Sequence, residues 1–311
     1  MTVLVTGGAG FIGSHVADAL LAAGHAVHVL DNLSGGRREN VPDGAVFHEL
    51  DVRDPDVRRL FGEHRYGALL HLAAQMDVRR SVADPVYDAD VNVLGLLNLM
   101  EAGRHAGLGK VVFASTGGAI YGEPDPEVNG GGPQPETHPQ RPASPYGITK
   151  LVSEHYLRFY GDLYGIPYVA LRFANVYGPR QNPHGEAGVV AIFTERLLAG
   201  EQPVINGPGL QTRDYVYVGD VVDAVMRALA YDGSGAFNVG TGVETDVNTL
   251  FGHLNRLTGA NVEERHGPAK PGEQQRSVLD TTLARRVLGW APRVALDEGL
   301  ARTVEWFRTR G

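Results

Sequence analysis

The stretch Thr6-Gly7-Gly8-Ala9-Gly10-Phe11-Ile12-Gly13 decides how this 311-residue chain folds. It follows a short apolar run, Val3-Leu4-Val5, and it opens a segment, Gly13 to Ala23, in which Val16, Leu20 and Leu21 recur at helical spacing. Glycines at 7, 10 and 13 therefore mark a tight strand-to-helix turn. Without β-carbons, the backbone N–H groups of such a turn can face an anion at the helix N-terminus, and the last glycine lets the helix pack closely on the sheet. The next apolar run, Val27-His28-Val29-Leu30, ends at Asp31, and 31 − 13 places that carboxylate 18 residues after Gly13. A carboxylate there accepts hydrogen bonds from a ribose diol and repels a 2′-phosphate, so the pattern predicts a bound dinucleotide, NAD rather than NADP, with Arg37 and Arg38 the only nearby signal against it.

Further along, Val46 to Leu50, Leu69 to Leu72 and Val111 to Ala114 read as three more buried strands with helical stretches between them. Continuous apolar strands alternating with helices imply an α/β, doubly wound parallel sheet of Rossmann type, covered on both faces. Segment 123–143, rich in Pro, Gly and Glu, reads as an exposed loop. A long helix is expected from Tyr146 to Tyr164 and a strand over Tyr168 to Arg172. From Asn175 the elements shorten. The expected organisation is a dinucleotide-binding domain over 1–174, to which a segment near 214–240 returns, and a smaller α/β substrate-binding lobe over 175–311.

Composition narrows the function classes. Lys plus Arg number 28 and Asp plus Glu 36, a net charge of −8, which leaves no basic surplus for nucleic acid. No cysteine is present, so disulfides, thiolate metal sites and cysteine nucleophiles are excluded. No apolar run is long enough for a membrane span, and a cytoplasmic protein is expected. The 12 histidines show no ligand spacing, and no metal is expected. Glycine is in excess, 41 of 311.

Tyr146-Gly147-Ile148-Thr149-Lys150 sets a tyrosine and a lysine four residues apart on one helical face. A phenol of ordinary acidity is a poor base at neutral pH, and an ammonium one turn away makes its phenolate accessible.

These features together resemble the extended short-chain dehydrogenases/reductases, and within them the NAD-dependent nucleotide-sugar epimerase/dehydratase family. The matching motifs run nearly end to end: TGGAGFIGSH at 6–15, LDNLSGG at 30–36, HLAAQ at 71–75, VNVLG at 91–95, STGGAIYG at 115–122, SPYGITK at 144–150, NVYGPRQNP at 175–183, TRDYVYVGD at 212–220, FNVGTG at 237–242 and RSVLD at 276–280. The branch most similar to this chain interconverts UDP-glucose and UDP-galactose, so the resemblance implies oxidation at C4, turning of the 4-keto sugar about its pyrophosphate linkage, and re-reduction on the other face. Such a path holds the nucleotide tightly and the hexose loosely.

The resemblance implies that Tyr146, Lys150 and Thr116 are catalytic. It implies cofactor contacts at Gly7, Gly10, Phe11, Ile12, Gly13, Asp31, Asn32, Ser34, Gly36, Asp51, Val52, Leu72, Ala73, Ala74, Gln75 and Asn92, besides Tyr146 and Lys150. Counting back from Tyr121-Gly122, the family's third catalytic hydroxyl falls on Gly117, so Thr116 is expected to take its place, with Ser115 as the alternative. Sugar 4,6-dehydratases carry an Asp-Glu pair after that hydroxyl, and related decarboxylases a Glu. Gly117-Gly118 supply neither, which disfavours both reactions. Asn175 and Arg213 match contacts to the nucleotide diphosphate, and Val190 and Phe193 match residues flanking uracil. Lys270 stands where the family has a second arginine, with Arg276 nearby as a possible substitute. Ser277 stands where a restrictive pocket carries Tyr, which implies room for a 2-acetamido group and turnover of UDP-GlcNAc. Epimerisation of another UDP-sugar such as UDP-glucuronate is the alternative, and a non-catalytic NAD-sensing module a more distant one. A homodimer is implied through paired helices near 90–105 and 150–165.

Overall fold

A computed structural model describes residues 1–184, 188–270 and 274–310. Seven strands form the central sheet: β1 (Thr2–Thr6), β2 (Ala26–Asp31), β3 (Val46–Glu49), β4 (Ala68–His71), β5 (Val111–Thr116), β6 (Tyr168–Phe173) and, after three strands outside the sheet, β10 (Gly235–Val239). Their order is β10-β6-β5-β4-β1-β2-β3, and every pairing within it is parallel. The order reverses between β1 and β4, and in such sheets the crevice at the carboxyl ends of the two strands is where ligands bind.

The sheet is buried on both faces because its strands alternate between two apolar cores. Val3 and Val5 of β1 join Val16, Ala17 and Leu20 of helix Phe11–Ala22 and Val221, Ala224 and Val225 of helix Val218–Ala230. Leu4 points the other way, to Phe61, Leu96, Leu99, Met100, Leu157 and Tyr160. The helix Pro145–Tyr164 has local reasons for its bounds. Ser144 caps it by accepting from Gly147 N–H at 3.2 Å, Pro145 occupies the first turn where no donor is missed, and Gly165 closes it at φ +65°.

The second lobe carries β7 (Asn175–Tyr177), β9 (Thr212–Tyr217) and β11 (Glu244–Asp246) in one small sheet, and β8 (Ile205–Asn206) with β12 (His266–Gly267) in another. Its core gathers Tyr177, Val190, Phe193, Leu197, Tyr215, Leu250, Phe251 and Leu300. After β9 the chain crosses back: helix Val218–Ala230 covers the central sheet and β10 extends it beside β6. None of the described helices is long and apolar enough to cross a membrane.

One expectation fails here. Segment 123–143 is not an exposed loop: it contains a short helix, Pro126–Asn129, and buries Gln134 and His138. Its burial is polar. Asn238 Nδ2 donates to the Gln134 carbonyl at 2.9 Å, Asn238 N–H donates to Glu136 Oε1 at 2.7 Å, and Gln134 bridges to Leu279.

Candidate active site

The glycine turn is built as a cradle. Gly7 has φ +70°, and a β-carbon there would press on Ala73 N and the Leu72 carbonyl carbon. A β-carbon on Gly13 would overlap Gly7 O, so only glycine lets helix Phe11–Ala22 start this close to the turn. That helix has Gly10 at its N-cap with no capping side chain and no acid in its first turn, which leaves the N–H groups of its opening residues for an anion. Phe11 and Ile12 open the helix, and Gly36 closes against Ala9 from the other side. Asp31, buried at the end of β2, accepts from Ala9 N–H at 3.0 Å and Leu33 N–H at 2.9 Å, so its carboxylate is fixed at the rim of the cradle.

Beyond Asp31, Asn32 Nδ2 donates to Asp51 at 2.7 Å, and Asn32 Oδ1 accepts from both Ser34 N–H and its hydroxyl. Asp51 accepts a two-pronged hold from Arg53, which keeps its carboxyl well below the usual range, and Arg53 also grips Asp90. Val52 packs against Gly95. On the other side of the crevice, Leu72, Ala73, Ala74 and Gln75 continue from β4, with Leu72 N–H donating to Thr6 O and Ala73 N–H to Thr6 Oγ1. Two side chains of the expected cofactor set belong to a buried polar network. Gln75 reaches inward to Asp77 and Asp88, and Asn92, on a π-helical turn over Asp90–Leu94, braces Gln75 N–H and C=O.

Tyr146 and Lys150 lie on the first turns of helix Pro145–Tyr164. Lys150 Nζ donates to Ala114 O at 2.8 Å, lies 4.6 Å from the Phe113 ring centre and 5.9 Å from that of Tyr146. Burial lowers its pKa to about 8, while the charges of Asp88 and Glu154 oppose the shift. Burial raises the pKa of Tyr146 above the usual phenol range, Asp88 adds to that, and a hydrogen bond with Thr116 works against it. Asp88, wholly buried, is a residue that the sequence reading missed. It accepts from Gln75 Nε2 at 2.8 Å, Asn92 Nδ2 at 3.2 Å and Thr149 Oγ1 at 2.8 Å. The i, i+4 spacing of Asp88 and Asn92 was visible in sequence; their meeting with Thr149 was not.

Thr116 ends β5 and its hydroxyl bonds Tyr146, whereas Ser115, one residue earlier, bonds further along the same helix Pro145–Tyr164. Ser115 Oγ donates to Glu154 at 2.5 Å, inside a buried cluster in which Arg172 grips Glu154 at 2.6 Å and Tyr121 at 2.7 Å. Thr116 is thus the hydroxyl on the Tyr146 side. Gly118 marks the centre of the pocket: a β-carbon built on it would lie 3.6 Å from Asn175 Oδ1, 3.9 Å from Ser277 Oγ and 4.0 Å from Thr116 Oγ1. Three residues from distant parts of the sequence converge there.

Arg213, on β9, donates to Thr212 O at 2.8 Å. Its neighbour Asp214 is fully buried and accepts from Thr241 N–H, Thr241 Oγ1 and Gly242 N–H at 2.6–3.0 Å, and from Leu279 N–H at 3.4 Å. Arg276 is held by Glu244 on β11. Lys270 is exposed, and Pro271–Glu273 of its turn lie outside the described residues. The expected uracil contacts, Val190 and Phe193, both lie on helix Val189–Leu198. Val190 and Phe193 are 1% and 5% exposed, and Phe193 meets Phe251 edge-on within the lobe core. Core packing has taken both side chains.

The arrangement offers a general base with a cation one turn away, a second hydroxyl beside it, and an anion cradle across the crevice. Comparison with known proteins points to one family. The sequence profile of the NAD dependent epimerase/dehydratase family matches residues 3–240. A UDP-glucose 4-epimerase of Mycolicibacterium smegmatis is 51% identical over 316 residues, spanning 100% of this chain and 99% of the relative. The crystal structure of UDP-glucose 4-epimerase from Thermotoga maritima with UDP-glucose superimposes at a TM-score of 0.96 and 50% identity, covering 100% of this chain and 99% of that one. The UDP-glucose 4-epimerase of Thermus thermophilus, in complex with NAD, superimposes at 0.92 and 50% identity, covering 99% of each chain.

Proposed function

The chain belongs to the NAD-dependent epimerase/dehydratase family, and from that premise we propose that it interconverts UDP-glucose and UDP-galactose by inverting C4. NAD is the cofactor, and its site suits it: the cradle admits no β-carbon at Gly7 or Gly13, the first helix has no side-chain cap or acid at its N-terminus, and Asp31 stands at the end of β2. Bound NAD supplies a nicotinamide that withdraws hydride from the sugar and returns it.

The remaining work falls to this chain's own residues. Tyr146 accepts the proton of the 4-hydroxyl. Burial and Asp88 both resist forming its phenolate, so the Lys150 ammonium and the Thr116 hydroxyl are needed to make it accessible. Asn175 and Arg213 hold the diphosphate, a task for which the guanidinium fork is suited. Gly117 and Gly118 place no acid or base where removal of water would need one, which favours return of the same oxygen. The convergence of Thr116, Asn175 and Ser277 on Gly118 carries this reading, because it joins the proton-transfer residues to a pocket wall from the second lobe.

The reading extends to a homodimer working in the cytoplasm. Helix Pro145–Tyr164 leaves Tyr156, Phe159, Leu163 and Tyr164 exposed, an apolar stripe of the kind that pairs with a second copy. Light scattering on the protein and on Phe159→Glu tests the dimer; a wild-type monomer contradicts it. The activity is tested with a panel of UDP-sugars analysed for C4 inversion. Tyr146→Phe is expected to lower turnover by about 10²–10⁴-fold while retaining NAD; near-normal turnover removes Tyr146 from the role of base.

A further inference from the structure

At the free edge of the central sheet, outside the set of residues expected to hold NAD and sugar, three histidines meet. His28 lies on β2 and His48 on β3, and the register, with Leu30 opposite His48 and His28 opposite Val46, sets both on one face. Helix Val57–Glu63 packs over that face, and His64 caps its C-terminus. The imidazole nitrogens available as ligands all lie within 4.8 Å of one another. His28 Nδ1 and His48 Nε2 are 3.0 Å apart, and the His28 and His64 rings are 4.5 Å apart at 68°. His28 is 8% exposed, whereas His48 and His64 are partly open to solvent beside a cleft lined by Glu49, Asp56, Arg59 and Glu63.

Hydrogen bonding alone does not settle this cluster. His28 Nδ1 has one in-plane position, and two groups approach it: His48 Nε2 at 3.0 Å and Tyr66 Oη at 3.1 Å. A cation with lone pairs directed at it resolves that competition. Two imidazole nitrogens on a tetrahedral Zn²⁺, each at about 2.0–2.1 Å, sit roughly 3.3 Å apart, within a few tenths of an ångström of the observed spacing. Burial and the two neighbouring imidazoles lower His28 to about 4, and burial with His64 lowers His48, although Glu63 pulls the other way.

We propose that His28, His48 and His64 form a binding site for a divalent transition metal of the zinc type, which clips the edge strand β3 to β2 and to the end of helix Val57–Glu63. Neutral imidazoles suit Zn²⁺, Cu²⁺ and Ni²⁺ and are poor ligands for Mg²⁺ or Ca²⁺. Because the three ligands come from three elements, the site exists only in the folded chain, so the metal stabilises the fold by mass action. The role is structural: the residues that would hold NAD and sugar lie at the carboxyl ends of the strands. Sequence spacing gave no sign of it, since the ligands are 20 and 16 residues apart and no two share an element.

The test uses full-length protein stripped with chelator and titrated with Zn²⁺, with Co²⁺ as a coloured probe. One tight equivalent per chain, a tetrahedral Co²⁺ spectrum displaced by Zn²⁺, and a raised melting temperature are expected. His64→Ala and His48→Asn should each weaken that equivalent on the order of tenfold or more, as loss of a ligand exceeds loss of an outer contact. His253 with Asp297, His184 with Glu195 and His266 with Glu264 are the competing surface pairs, and the variants separate them from this site. If a variant fails to fold, ¹⁵N histidine spectra of the wild type decide: Zn²⁺ must move the rings of residues 28, 48 and 64 together. Absence of a one-to-one site, binding untouched by the variants, or shifts confined to other histidines overturns the proposal.

Discussion

The Leu279 side chain closes on Gly117, so that a β-carbon at position 117 would overlap its two methyl groups. The family's usual place for a catalytic hydroxyl is therefore filled by packing, and the hydroxyl bonded to Tyr146 belongs to Thr116. Gly117→Ser is expected to destabilise the protein without raising turnover. Thr116→Ala should lower kcat by roughly 10²–10³-fold, the cost of losing one aimed donor, while Ser115→Ala should leave kcat nearly unchanged. Steady-state kinetics with thermal melting distinguish these outcomes; a large kcat loss in Ser115→Ala would reverse the assignment.

Asp88 predicts a shift in the pH profile. Lys150, lowered to about 8 by burial, keeps its proton partly through the negative charge of Asp88, and that same charge opposes the Tyr146 phenolate. Removing it lowers the pKa of both groups. The alkaline limb of kcat/KM, where the ammonium is lost, should stand near pH 8 in the wild type and move to lower pH in Asp88→Asn, which keeps an acceptor for Gln75 and Asn92. A purely structural role would reduce activity without moving the limb.

The Arg172–Glu154 pair is 4% and 8% exposed, and Ser115 and Tyr121 complete its hydrogen bonds. Breaking a pair of this kind by removing one partner strands a buried charge, at about 3–5 kcal/mol. Arg172→Leu should show that loss in urea denaturation, whereas exposed pairs such as Arg158 with Asp162 should give little when broken.

Ser277 predicts substrate range. It is 2% exposed, and its hydroxyl faces the pocket around Gly118. UDP-GlcNAc should turn over comparably with UDP-glucose. Ser277→Tyr should remove the larger substrate while sparing the smaller one; inactivity of the wild type on UDP-GlcNAc would contradict this.

The sheet was legible in sequence because strands buried on both faces read as continuous apolar runs, and the glycine turn because backbone contact at Gly7 and Gly13 tolerates no other residue. Burial achieved by hydrogen bonds leaves no such mark. Gln134, Glu136 and Asn238 are inside for polar reasons, and a Pro- and Gly-rich stretch with that composition looks like surface. Val190 and Phe193 are the reverse case, apolar and packed. Apolar residues at i, i+3 on helix Val189–Leu198 follow the ordinary core pattern, and the lobe core claims them.

Asp214 holds the backbone of Thr241, Gly242 and Leu279 while sitting next to Arg213. One carboxylate thus ties the strand that carries Arg213 to the segment that runs from Ser277 to Leu279. On the proposed function, a change of side chain at 277 would alter which sugar is accepted while leaving that anchor in place, because Asp214 grips backbone and not the Ser277 side chain.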